Sequence, residues 1–300
     1  MLNFSEFIGF VCEKSKVKKP NLIEKDIILH LREIYSSELS EKYLFKGGSC
    51  LVKCYFGYYR FSVDLDFTWK NQEMLEGLGS KKLRKALIKE TEIFGYLLER
   101  TASQLGLDFS NDTKNKKYFE FGGGGRRVTF KLWKDLEFIK VQINFIERIL
   151  FKEKRVVAKI LLSNAKIDKD ERIYFHDFLY FYKPIKVLAY DEKEILCEKV
   201  RAILTRKTQK LRDFYDLFKL NEKGIKIENL KKEIVEKIKV SLYYKKYREN
   251  LERNKRIFKI GKEFLEDPFE RDLFIVKLPK EFEFLFEESI KNLRDIINIV

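Results

Sequence analysis

Asp64 and Asp66 stand in the segment Phe61-Ser62-Val63-Asp64-Leu65-Asp66-Phe67, where apolar and polar residues alternate without a break. A period of two is that of a half-buried strand, so Phe61, Val63, Leu65 and Phe67 take one side and Ser62, Asp64 and Asp66 the other. Carboxylates at i and i+2 then project together as two hard oxygen donors on a rigid element, which suits two-metal phosphoryl or nucleotidyl transfer. An acidic strand face is also a common solvated surface, so the pair alone does not decide. Upstream, Lys46-Gly47-Gly48-Ser49 follows the apolar pair Leu44-Phe45 and precedes Leu51-Val52-Lys53-Cys54-Tyr55-Phe56, a pattern of strand, glycine turn and short helix. Such a turn presents backbone N–H groups and a hydroxyl to phosphate oxygens, and its small residues let a triphosphate come close. It is not a P-loop, because no Gly-Lys-Ser/Thr follows at the required spacing. Further on, Lys199 and Arg206 lie seven apart in a segment expected to be helical, hence nearly on one face, and both can meet phosphate or base oxygens. The plainer alternative is a solvated basic helix with Asp213 and Asp216 as ion-pair partners.

The elements that must position these residues follow from periodicity. Phe4, Phe7, Ile8 and Val11 recur at helical spacing, and after the break at Pro20-Asn21 a second helical pattern runs through Ile23, Ile27, Leu31 and Ile34. Residues 81–105 form a third helix with Leu83, Leu87, Phe94, Leu97 and Leu98 as its buried stripe. Strands are expected at 118–121 and 128–133, joined through Gly122–Gly125, at 138–145, and at 184–190. The glycine run before Arg126 and Arg127 reads as a hairpin turn rather than a phosphate loop, since strands flank it on both sides. Asp191 with Glu194 three residues on is a capping-box signature, opening a mostly helical stretch over 191–218.

Composition sets the class. Over 300 residues, 45% are hydrophobic, 36% charged and 15% aromatic, a folded composition. The 62 basic against 47 acidic side chains give a net charge of +15, which favours polyanionic partners or reflects a lysine-rich solvated surface. Residues 219–262 hold 15 Lys/Arg against 6 Asp/Glu, including Tyr243-Tyr244-Lys245-Lys246-Tyr247-Arg248, whose rings and cations suit either a nucleic-acid surface or packing. Phe282, Phe284 and Phe286 recur at alternate positions among Glu281, Glu283 and Glu287 and read as a strand or helix edge packed on the core. Cys12, Cys50, Cys54 and Cys197 are too sparse for a disulfide framework, and His30 and His176 are isolated, which argues against zinc and imidazole catalysis. With no run of about 18 apolar residues and no signal-like amino terminus, a cytoplasmic protein without membrane association is expected.

The ordered set Glu24-Lys25-Asp26, Lys46-Gly47-Gly48-Ser49 and Arg60-Phe61-Ser62-Val63-Asp64-Leu65-Asp66-Phe67 resembles the AbiEii/AbiGii toxin family of polymerase-beta-like nucleotidyltransferases. Lys199, Arg206 and Arg212-Asp213-Phe214-Tyr215-Asp216-Leu217 are similar to that family's downstream helix, so the likeness spans roughly residues 20–220. The resemblance implies an α/β (α+β) fold: a mixed-sheet nucleotidyltransferase core with amino-terminal helices over 1–190, and a mainly helical carboxy-terminal domain over 191–300 that contributes Lys199 and Asp213 to the site. It further implies that Asp64 and Asp66 bind two Mg²⁺ (or Mn²⁺) ions, and that Lys46, Gly47, Gly48, Ser49, Arg60, Ser62, Arg206 and Arg212 bind a nucleoside triphosphate. Lys199 would neutralise triphosphate charge, with Asp213 positioning it or the acceptor. The implied acceptor is RNA, the 3′ end of tRNA in particular, and the implied setting a toxin with a cognate antitoxin protein. Two rivals stand beside this: transfer to a protein hydroxyl, and a catalytically weak nucleotide- or RNA-binding module. One departure bears on them, because the polar face of 138–145 offers Gln142 and Asn144 where such enzymes often place a third carboxylate.

Overall fold

Seven strands form one mixed sheet in the computed structural model, which describes residues 4–30, 38–257 and 262–300. They are β1 (Tyr43–Lys46), β2 (Asp64–Trp69), β3 (Phe119–Gly122), β4 (Arg127–Lys134), β5 (Glu137–Asn144), β6 (Lys154–Ala158) and β7 (Ile185–Ala189). Their spatial order is β3-β4-β5-β2-β1-β7-β6, with β2 parallel to β5, β1 parallel to β7, and the remaining neighbours antiparallel. Two compact units divide the chain, one of residues 1–147 with 154–189, the other of 148–153 with 190–300.

In the first unit the sheet's apolar face carries Tyr43, Phe45, Leu65, Phe67, Phe130 and Ile143, all buried. Phe94, from the helix α4 named below, fits among them, its ring 4.8 Å from that of Tyr43 and 5.4 Å from that of Phe130. Burying one such ring contributes about 1.5–3 kcal/mol, which fixes which face of β2 is left for polar residues. The helices here are α1 (Phe4–Ser15), α2 (Pro20–Ile28), α3 (Gly47–Cys50), α4 (Ser80–Gln104), α5 (Lys169–Tyr174) and α6 (His176–Phe181), and a π-helical turn, Leu51–Phe56, continues α3. Of the second expected helix, Ile23 and Ile27 fall in α2, while Leu31 and Ile34 lie outside the described residues.

The second unit holds α7 (Glu192–Thr205), α8 (Leu211–Glu222), α9 (Lys231–Ser241), α10 (Lys245–Ile257), α11 (Pro268–Asp272) and α12 (Lys280–Ile299). Phe282 and Phe286 of α12 pack on Phe214, Tyr215 and Phe218 of α8, with ring centroids 5.0–5.6 Å apart, while Phe284 points to solvent. The alternation there is thus one of helix faces. Asp191 caps α7 by accepting from the Lys193 N–H, but Glu194 does not close a capping box. Its carboxylate is instead buried and accepts from the N–H groups of Leu150 and Phe151 at 2.7 and 2.8 Å, beside the Lys237 ammonium at 2.6 Å. Lys237 also donates to the Arg148 carbonyl, so the two side chains together hold the segment 148–153.

Among the described residues no helix is long and apolar enough to cross a membrane. Residues 258–261 of the basic stretch lie outside the description. Within it, Tyr243 is 72% exposed, whereas Tyr244 and Tyr247 are half-buried.

Candidate active site

The strand bearing the acidic pair begins later than its alternation indicates, at Asp64 rather than Phe61. Phe61 is nonetheless buried, next to the buried Arg60. Asp64 and Asp66 share the face opposite the aromatic core, half-exposed, as the period of two requires. Across β1, Asp66 is paired with Lys46; across β5, Asp64 is paired with Lys140, Asp66 with Gln142, and Thr68 with Asn144.

Gly47 bends the chain out of β1 with φ +74°, and a Cβ on it would stand 2.7 Å from Asp66 Oδ2. Glycine is therefore required twice over, by conformation and by the closeness of the carboxylate. At Gly48 a Cβ would strike the guanidinium of Arg60, a side chain 1% exposed that donates to the Phe61 carbonyl at 2.8 Å. Arg60 lies against the turn as a buttress. Ser49 is also turned inward, its hydroxyl 2.8 Å from Ser62 Oγ and against the Asp64 carbonyl, which ties the turn to the start of β2. With Ser49 turned inward, the donors the turn presents are the leading N–H groups of α3, which have no carbonyl partner within the helix. Below it, Asp26 of α2 anchors the π-helical turn: Lys53 Nζ lies 2.6 Å from Asp26 Oδ1, and the Tyr58 and Tyr182 hydroxyls donate to Oδ2 at 2.9 and 2.8 Å. Burial first, and then the Asp26 charge, push both tyrosine hydroxyls well above their ordinary pKa.

The second unit gathers three of the expected residues. Lys199 of α7 lies 2.6 Å from Asp213 Oδ1 and 2.6 Å from Asp216 Oδ2, and Arg206 donates to Asp213 Oδ2. Arg206 does not share a helical face with Lys199, since α7 ends at Thr205 and Arg206 is already extended, at φ −96° and ψ 155°. The two cations meet because both reach Asp213, in the first turn of α8. The open end of α7 is closed from α10, where Asn254 Nδ2 donates to the Leu204 and Arg206 carbonyls at 2.8 and 3.0 Å and Asn250 Nδ2 to that of Thr205 at 2.9 Å. Arg212 is held by Glu270, 2.6 Å from its guanidinium.

A sequence model described as "Nucleotidyl transferase AbiEii toxin, Type IV TA system" matches residues 30–295. The chain belongs to the AbiEii nucleotidyltransferase toxin family. It is thereby a nucleotidyltransferase toxin of a type IV toxin–antitoxin system, and its mixed α/β architecture is the one the AbiEii resemblance implies. Among solved structures, MenT4, a nucleotidyltransferase toxin from Mycobacterium tuberculosis H37Rv, is similar at 15% identity over 97% of this chain and 98% of its own, with a TM-score of 0.43. A likeness so distant carries no argument about this AbiEii chain. None of the curated proteins matches the sequence.

One acidic residue of this AbiEii chain escaped the sequence reading. Glu147, three residues past the end of β5, accepts from Asn144 Nδ2 at 2.8 Å and lies 3.5 Å from Lys46 Nζ, while its own N–H donates to Gln72 Oε1 at 2.7 Å. No spacing rule flags it, because it follows the strand rather than sitting in its register. Beside it Asn144 Oδ1 is buried without a hydrogen-bond partner among the described residues. Among those residues, too, no three of His, Cys, Asp and Glu gather as a metal-ligand cluster.

Burial alone would raise the Asp213 pKa, but the Lys199 and Arg206 charges outweigh it and hold this carboxyl well below the usual range. A depressed native value means stability that is present above the unfolded pKa of about 3.9 and lost as pH falls toward the native one. Asp213→Asn, which leaves Lys199 to Asp216 alone and Arg206 facing a neutral amide, is expected to cost about 1.5–3 kcal/mol at neutral pH. Urea unfolding of both proteins should show that difference intact above about pH 4 and shrinking below it. A difference that grows in acid would contradict the assignment.

Proposed function

We propose that the chain moves a nucleoside monophosphate from a nucleoside triphosphate to a hydroxyl of RNA, with the 3′ end of tRNA as acceptor and Mg²⁺ as the physiological cation. The observation that carries this reading is the placement of Asp64 and Asp66 on one polar sheet face, with the Asp66 carboxylate against the Gly47 turn. Two carboxylates are hard oxygen donors and fit Mg²⁺ or Mn²⁺. When bound, such an ion neutralises phosphate charge during an in-line displacement. The chain supplies the rest. The leading amides of α3 receive the outer phosphates, and Arg60, Ser49 and Ser62 keep that turn in shape. Lys46 adds a fixed positive charge beside Asp66. The reading also gives Lys199 the task of offsetting triphosphate charge, with Asp213 and Asp216 holding its ammonium and Asp213 holding Arg206. The acceptor oxygen forms its bond to the α-phosphorus as the α–β P–O bond breaks and pyrophosphate leaves. The net charge of +15 accords with a polyanionic acceptor. Membership of a type IV toxin–antitoxin family supports a cognate antitoxin protein as partner.

Gln142 opposite Asp66 favours one rival specifically, the weak binding module, because an amide cannot take the acceptor's proton. Incubation with each α-³²P-labelled nucleoside triphosphate, Mg²⁺ and total RNA separates the readings. Label is expected in a tRNA-sized band with the unaltered protein and not with the Asp64→Ala/Asp66→Ala variant. Label on protein instead would replace the RNA acceptor with a protein hydroxyl. Nucleotide bound without any label transferred would leave the binding module.

A further inference from the structure

Asp66 has unlike neighbours on its two sides. On β5 it faces the neutral Gln142, and on β1 it faces Lys46. Directly opposed residues of neighbouring strands share a face, so Gln142, Asp66 and Lys46 make one row across the sheet, and Asn144, Thr68 and Leu44 make the next. Glu147 spans these rows from beyond the strand. Its carboxylate is bonded to Asn144 on β5 and stands 3.5 Å from the Lys46 ammonium on β1, and β2 runs between those two strands. The Lys46 and Glu147 side chains are 5% and 14% exposed, so the ammonium is fixed and poorly screened by solvent.

A second divalent cation shared by Asp66 and an acid on the neighbouring strand would have to enter this row. There it would meet the buried ammonium of the Lys46–Glu147 pair on one side and an amide on the other. Ammonium and dication repel at cross-strand distance, and an amide oxygen brings no compensating charge. We infer that Lys46, held by Glu147, supplies the positive charge of that second position, so that the chain takes up one divalent cation per nucleotide, through Asp64 and Asp66, rather than two. This rests on the proposed reading of Asp64 and Asp66 as the cation's donors.

The test counts ions without asking for turnover. Mn²⁺ bound per chain is measured by electron paramagnetic resonance in the presence of each of the four α,β-methylene nucleoside triphosphates, which cannot release pyrophosphate. One Mn²⁺ per chain is expected, with the spectrum of an isolated ion. Lys46→Met/Gln142→Glu, which removes the ammonium and restores an acid opposite Asp66, is expected to raise the count to two, with the broadened spectrum of a coupled pair. Two ions on the unaltered protein would overturn the inference while leaving the reading of the site standing, and so would a folded double variant that still binds one. If the double variant does not fold, the count on the unaltered protein decides. No Mn²⁺ on the unaltered protein, or Mn²⁺ retained by Asp64→Ala/Asp66→Ala, would overturn the reading and the inference with it.

Discussion

Asp66→Asn is expected to lower nucleotidyl transfer by at least about 10²-fold while leaving the protein folded. Even residues that only orient metal ligands cost about 10–100-fold when changed, and a direct donor should cost no less. The amide keeps the side chain's size, so the close approach to Gly47 survives and only the charge is lost. Folding should tolerate that loss, because Asp64 and Asp66 are like charges on one half-exposed strand face. Asp64→Asn should behave in the same way. The check is the initial rate of label incorporation beside a thermal melt of each variant. Near-normal transfer by both, with melts unchanged, would remove the pair from the chemistry.

The largest effect on stability is expected at Lys237. Its ammonium and the Glu194 carboxylate are 0% exposed and 2.6 Å apart, so Lys237→Ala strands a buried charge at a cost of about 3–5 kcal/mol. Glu194→Ala should be comparably severe for another reason: two buried N–H groups, of Leu150 and Phe151, lose their acceptor, at about 1–3 kcal/mol each. Because both changes act on one network, the double variant should fall well short of their sum. Urea midpoints of the two single variants and the double one test this. Additive losses would mean that the ammonium and the carboxylate are not coupled.

The parts legible in the sequence are those where local pattern and burial agree. Alternation around Asp64 and Asp66 gave a strand with its apolar side toward Phe94, and the hairpin of β3 and β4 followed from two apolar runs flanking a glycine turn. β2 starts at Asp64, later than the alternation indicates, because Phe61 is buried without joining the sheet. β6 leaves little trace in the sequence: it is an edge strand opening on Lys154 and Arg155 whose single buried residue is Ala158, so it carries little hydrophobic signal. Tertiary partners hid the remainder. Glu194 has the spacing of a capping residue but serves a buried ion pair, and Arg206 has the spacing of a helical neighbour of Lys199 but lies beyond the helix end. Glu147 gains its meaning from strands far apart in sequence, Lys46 on one and Asn144 on the other, a separation that no local pattern registers.

The gripped segment 148–153 makes the polypeptide interleaved rather than sequential. The covalent chain passes from one unit to the other after Glu147, returns at Lys154 to build β6, and passes over again after Ala189. A gene fragment stopping at Ala189 would encode Arg148, Leu150 and Phe151 without Glu194 or Lys237, leaving two amides and a carbonyl with no mate. Excision there therefore yields an open-ended piece, and the nascent chain emerges from the ribosome with Arg148, Leu150 and Phe151 still awaiting partners encoded downstream.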